Sequence, residues 1–166
     1  MTTAGITVTL TDAEQRIVRW IARQRQGANG AAGVVDRQVA PTLSGDDVHT
    51  IGFGGELAFC KLFNVYPDLD TRPRRGGADC ARLGESVDVK TTRHPNGKLL
   101  VFARKLELAS DCYALMIADW PAFRFVGFVR AGDVFRPEHY EPDRVGGPTY
   151  AVAQDDRMVT ADQIQW

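Results

Sequence analysis

Seven residues in the middle of the chain, Ser86-Val87-Asp88-Val89-Lys90-Thr91-Thr92, alternate at a period of two. Successive side chains on a β-strand point to opposite faces, so the pattern is that of a strand with one face toward a core. Val87, Val89 and Thr91 share one face. Asp88, Lys90 and Thr92 share the other, with Asp88 and Lys90 about 7 Å apart along the strand. The valines pack inward and the charged pair projects together.

The residues before this strand follow a helical period. Thr11-Asp12-Ala13-Glu14 has the S/T-x-x-E form of a capping box. Ile17, Trp20, Ile21 and Gln24 follow at helical spacing, so residues 12–26 read as an amphipathic helix ended by Gly27, Gly30 and Gly33. Ser44-Gly45-Asp46-Asp47 starts a second helix. It runs from about Val48 to Phe63 and is apolar on nearly every side, which predicts burial. Pro67 to Gly77 reads as a loop.

Beyond it, Asp79–Leu83 and Ser86–Thr92 read as strands joined by a tight turn at Gly84-Glu85. Leu99–Phe102 is a third strand, after the turn signal Pro95-Asn96-Gly97, so the middle of the chain is expected to be a meander. Arg104–Ser110 reads as a short helix, and Tyr113–Ala118 and Phe123–Val129 as two strands around Trp120-Pro121. The last 35 or so residues are turn-rich and acidic. The expected class is α/β, with a central mixed sheet flanked by helices.

The 166 residues suit one domain, with its core at about 48–130 and an extension at about 131–166. The apolar run Tyr113–Ala118 falls far short of the ~20 residues that span a bilayer. The first residues lack the basic and apolar regions of a secretion signal. Cys60, Cys80 and Cys112 have no metal-type spacing and read as buried thiols in a reducing cytoplasm. Charge is segregated: Arg72 to Lys105 holds nine basic and three acidic residues, so it carries +6 while the rest carries −7. A basic middle in an acidic remainder is one way to aim a polyanion at one face.

Folding the expected hairpin back with a Gly84-Glu85 turn sets Asp79 opposite Lys90 and Ala81 opposite Asp88. Asp79 and Asp88 are then diagonal neighbours, about 7–8 Å apart at the backbone. Two carboxylates so placed can converge on one divalent cation, with oxygens at about 2.0–2.1 Å. Glu56 lies within the apolar helix, flanked by Gly55, Leu57, Ala58 and Phe59, where a carboxylate needs a metal or a lysine beside it. Gly52, Gly54 and Gly55 let another group come close there. No pair among His49, His94 and His139 has metal-ligand spacing. Gly146-Gly147 lacks the Gly-Lys-Ser/Thr of a phosphate loop, and no serine or cysteine has an adjacent base.

Glu56, then Asp79, then Asp88-Val89-Lys90 resembles the PD-(D/E)XK nuclease superfamily, which has the restriction-endonuclease-like fold. That pattern is a helix glutamate, an aspartate opening a strand hairpin, and (D/E)-x-K on the next strand. The wider text Gly55-Glu56-Leu57-Ala58-Phe59, Gly77-Ala78-Asp79 and Val87-Asp88-Val89-Lys90-Thr91-Thr92 is similar to the small phage and prophage nucleases of the superfamily. The resemblance covers about Gly52 to Val129. Alanine replaces proline before Asp79, and a literal Pro-Asp pair stands at Pro67-Asp68, so Asp68 is the second choice for the first acid.

The resemblance implies a metal-dependent phosphodiesterase acting on DNA. Asp79, Asp88 and the main-chain carbonyl of Val89 would hold Mg²⁺ or Mn²⁺. Lys90 would orient or help deprotonate a water, and Glu56 would orient metal-bound water or help hold a second ion. Arg72, Arg74, Arg75 and Arg93 are candidate phosphate contacts. A homodimer is compatible with this reading. The competing expectations are a catalytically silent module of the same fold that binds DNA or a protein, and an accessory phage protein.

Overall fold

The computed structural model describes residues 5–33, 45–73, 78–82, 84–154 and 158–160. A short strand, β1 (Thr7–Thr9), leads into helix α1 (Asp12–Ala31). The capping box forms as its sequence predicts: Glu14 N donates to Thr11 Oγ1 at 3.3 Å, and Thr11 N donates to Glu14 Oε2 at 2.7 Å. The helix continues through Gly27 and Gly30, five residues beyond the expected end. Its buried face is also rotated from the expected one. Val18, Ile21 and Ala22 are buried, whereas Ile17 and Trp20 are 47% and 58% exposed.

Helix α2 (Gly45–Phe63) buries Ile51, Phe53, Ala58, Phe59 and Cys60. Phe59 and Phe63 meet Phe125 and Phe128 of the sheet at centroid distances of 5.1 to 6.2 Å. Such aromatic pairs contribute about 0.5–1.5 kcal/mol each beyond the area they bury, which fixes α2 on its sheet.

The main sheet has the order β1-β6-β5-β3-β2, with β2 (Cys80–Arg82), β3 (Glu85–Thr92), β5 (Cys112–Asp119) and β6 (Ala122–Arg130). Its pairs are antiparallel except β3 with β5, which run parallel from Val87↔Cys112 to Thr92↔Ile117. The sheet is therefore mixed, as expected, but the middle of the chain is not a meander. Strand β4 (Leu99–Phe102) leaves for a second sheet of order β4-β8-β7, with β7 (Tyr140–Glu141) and β8 (Thr149–Val152). A parallel pair needs a crossover, and β4 with the following 3₁₀ helix (Ala103–Leu108) supplies it. The departure of β4 has an apolar cause. Leu99 and Val101 are fully buried against Tyr113, Leu115 and Ile117.

The main sheet is thus covered on both faces. Cys112, Ala114 and Met116 face the helices, and Tyr113, Leu115 and Ile117 face the second sheet. A strand buried on both sides reads as an unbroken apolar run, which explains residues 112–118. The last part of the chain joins this second core through helix α3 (Ala131–Val134) and β8, and Val159 bridges to Phe128 of β6. Cys60, Cys80 and Cys112 are buried free thiols. Among the described residues, no helix is long and apolar enough to cross a membrane.

Candidate functional site

The hairpin turns one residue earlier than its sequence suggests. Cys80 pairs with Val87, Ala81 with Ser86 and Arg82 with Glu85, which puts Gly84 in the loop just before Glu85. Gly84 has a φ of 85°, a positive value that a tight hairpin loop accepts at either position. The expected Leu83–Ser86 facing pair is replaced by Arg82–Glu85. This moves the pairing by two residues, which keeps every side chain on its expected face. Asp79, one residue before β2, leaves this register: its N–H donates to the Val87 carbonyl, so it stands level with Val87 and not opposite Lys90.

Strand β2 begins at Cys80, so the edge of β3 beyond Val87 lacks a β2 partner. Asp79 occupies that edge. Its backbone N–H donates to the Val87 carbonyl at 2.9 Å, and its Oδ2 accepts from the Val89 N–H at 2.7 Å. A side chain has taken the place of a ladder strand.

Asp88 points to the second-sheet face, beside Tyr113 of β5. It is 5% exposed and bracketed by two ammonium groups. Lys90 Nζ lies 2.5 Å from Oδ1, and Lys105 Nζ, carried by the 3₁₀ helix, lies 3.8 Å from Oδ2. Burial alone would lower Lys90, but the charges of Asp88 and Asp79 outweigh it and its pKa rises. Lys105 goes down, from burial first and the neighbouring Lys90 second.

Glu56 approaches from the opposite side of the sheet, because α2 packs on the Val87 and Val89 face. The approach is close: a Cβ on Gly55 would stand 2.0 Å from Thr91 Oγ1, so only glycine fits. Arg25 Nη1 meets Glu56 Oε2 at 3.1 Å. The same guanidinium donates to the carbonyls of Asp68 and Asp70 at 2.7 and 3.0 Å, and lies 4.7 Å from the Phe53 ring centroid.

Asp79 is where the two sides of the sheet meet. Its carboxyl is raised well above the ordinary range, by burial first, then by the charge of Glu56, then by that of Asp88. The helix acid, the edge acid and the strand acid therefore share one field. Among the described residues, no three His, Cys, Asp or Glu side chains form a group that could hold a metal ion. Each acid instead has a cation or an amide against it.

Arg72 is exposed and forks onto Asp70, with Nη2 at 2.5 Å from Oδ2. Arg93 is exposed just past the end of β3. Arg74 and Arg75 lie outside the described residues. Asp68 and Asp79 line the same cleft, so both candidates for the first acid border one space.

A family model described as a family of unknown function, DUF5843, matches residues 2–165. The chain belongs to DUF5843. No curated protein and no solved structure matches it. Two residues of this DUF5843 site escape the sequence reading. Arg25 continues the true inner face of α1, Val18-Ile21-Ala22-Arg25, an i, i+3, i+4, i+7 set that was legible. Lys105 left no such signal, since its approach to Asp88 depends on where the 3₁₀ helix docks.

Proposed function

We propose that this DUF5843 protein is a metal-dependent deoxyribonuclease of phage or prophage type, on a restriction-endonuclease-like core. One observation carries the reading: the buried Asp79 carboxyl sits on the open edge of β3 against the Val89 N–H, and the neighbouring residues of that strand are Asp88 and Lys90, with the lysine seated on the acid. Converging acids beside a lysine at an open strand edge are costly as scaffold and apt for phosphodiester chemistry.

The donors fit a hard divalent ion, Mg²⁺ or Mn²⁺, in chemistry. Asp79 and Asp88 would hold it with the Val89 carbonyl. The N–H and C=O of one strand residue leave on the same side, and the Val89 N–H is turned toward Asp79. When bound, such an ion supplies Lewis-acid polarisation of the phosphodiester and acidifies a water. Lys90 offsets negative charge on the crowded phosphate and holds the attacking water by a hydrogen bond. Glu56 accepts a proton of a neighbouring water. Arg25 keeps Glu56 aimed, and Arg72 and Arg93 supply exposed positive charge for the DNA backbone.

A second reading, a nuclease-fold module that binds without cutting, is favoured by one observation. Lys90, Lys105 and Arg25 already compensate the acids. Plasmid, linear, single-stranded and branched DNA incubated with and without Mg²⁺ or Mn²⁺ separates the two. The nuclease cuts at least one substrate only with metal, and Asp88→Asn and Lys90→Ala abolish the cutting. No cleavage of any substrate, with no heat of metal binding by calorimetry, overturns the catalytic reading.

A further inference from the structure

The segment after α2 carries an aromatic ring that contributes little to the core. Tyr66 is 80% exposed. It forms one wall of an open cleft of about 440 Å³, together with Pro67, Asp68 and Leu69, and Asp79 and Cys80 lie in the other wall. The Tyr66 wall is pinned from beneath. Arg25 holds the Asp68 and Asp70 carbonyls, and Asp70 N donates to Asp68 Oδ1 at 2.8 Å. That wall is therefore held in place, and the open cleft's size falls within the roughly 300–1,000 Å³ of small-ligand sites.

The lining specifies the ligand's chemistry. Tyr66, Pro67 and Leu69 offer apolar surface to a flat ring. Asp68 and Asp79 add polar groups to the lining, the kind of partner that the edge of such a ring needs. A nucleobase combines both properties. Asp79 belongs to the cleft and to the catalytic group, so the base would be next to the position where the proposed metal and Lys90 would take a phosphate. A paired base in a duplex is stacked on both faces and cannot lay its own face on Tyr66.

We propose that the cleft between Tyr66 and Asp79 receives an unpaired nucleobase of single-stranded DNA, stacked on the Tyr66 ring. This rests on the nuclease reading and narrows its substrate to unpaired strands.

The test is fluorescence anisotropy in EDTA, where no cutting occurs, with labelled single-stranded DNA, the matching duplex and the same sequence as RNA. The wild type binds single-stranded DNA more tightly than duplex. Tyr66→Ala weakens that binding by about 5- to 150-fold and Tyr66→Phe changes it less than about twofold, as expected for stacking. Duplex affinity and melting temperature stay as in the wild type, because the side chain is mostly exposed. Unchanged single-strand affinity in Tyr66→Ala overturns the inference. So does tighter binding of RNA that the same variant loses, which would assign the cleft to a different nucleic acid. A wild type that cuts duplex with metal but shows no Tyr66 effect overturns this inference alone. A wild type that binds none of the three and cuts nothing overturns the nuclease reading with it.

Discussion

Arg25 reaches across 31 positions of chain to place Nη1 3.1 Å from Glu56 Oε2, with both side chains about five-sixths buried. The other two guanidinium nitrogens that bond here hold the loop carrying Asp68 and Asp70. One residue thus fixes the helix acid and the cleft wall together.

Removing it takes a cation from a mostly buried carboxylate and a donor from each of two carbonyls. Arg25→Ala should lower stability by about 2–4 kcal/mol, read from urea unfolding. Arg25→Lys should not restore it, since an ammonium cannot form the three-way fork. A full rescue by lysine would show that only the charge matters.

Asp79 gives the site a characteristic pH response. Its raised folded pKa means the folded chain keeps a proton that the unfolded chain releases. Stability therefore falls as pH rises from about 4, the unfolded value, through the raised folded value. Asp79→Asn lacks this penalty. It should melt at higher temperature than the wild type near neutrality, and the advantage should vanish toward about pH 4. A difference that stays constant across that range would show that Asp79 titrates ordinarily.

Asp88→Asn and Lys90→Ala should separate metal binding from chemistry. The first weakens metal affinity in calorimetry and reduces cleavage by several orders of magnitude. The second leaves metal affinity equal or tighter, because a neighbouring positive charge is gone, and still reduces cleavage by at least about 100- to 1,000-fold. Lys105→Ala should act in the same direction but less, its nitrogen standing at 3.8 Å from Asp88 against 2.5 Å for Lys90. Weaker metal binding in Lys90→Ala would contradict this division of labour.

Gly55→Ala should be among the most damaging small substitutions. Its Cβ would press on Thr91 Oγ1 at 2.0 Å and push α2 off β3. A loss of about 1–3 kcal/mol or more follows from overpacking. Thr91→Ala in the same chain should recover part of it, a non-additivity that thermal melts of the two single variants and the double variant would measure.

Local patterns made much of this molecule legible. Leu99–Phe102 forms a strand with the bounds its period implies, and the acidic, basic and apolar positions of β3 fall on the expected faces. The hairpin turn was misread because Gly84 fits either loop position on paper, and only the pairing of Arg82 with Glu85 decides. The parallel partner of β3 was not legible at all. Strand pairing is a choice between distant segments, and β4, next in sequence, is as apolar as β5. The inner face of α1 was read a fraction of a turn away because Trp20 is large and apolar, yet the helix buries Val18 and Ala22 instead.

The parallel register of β3 and β5 also bears on when the site comes into being. Asp88 and Lys90 stand beside Tyr113 and Leu115, so the strand that carries them is completed by residues made only after β4 and the 3₁₀ helix. A chain nicked or stalled before β5 contains Glu56, Asp79, Asp88 and Lys90 but gives them no shared field. Such long-range pairing forms late and slowly, so an excised helix and hairpin would be expected to fold into neither the sheet nor the site.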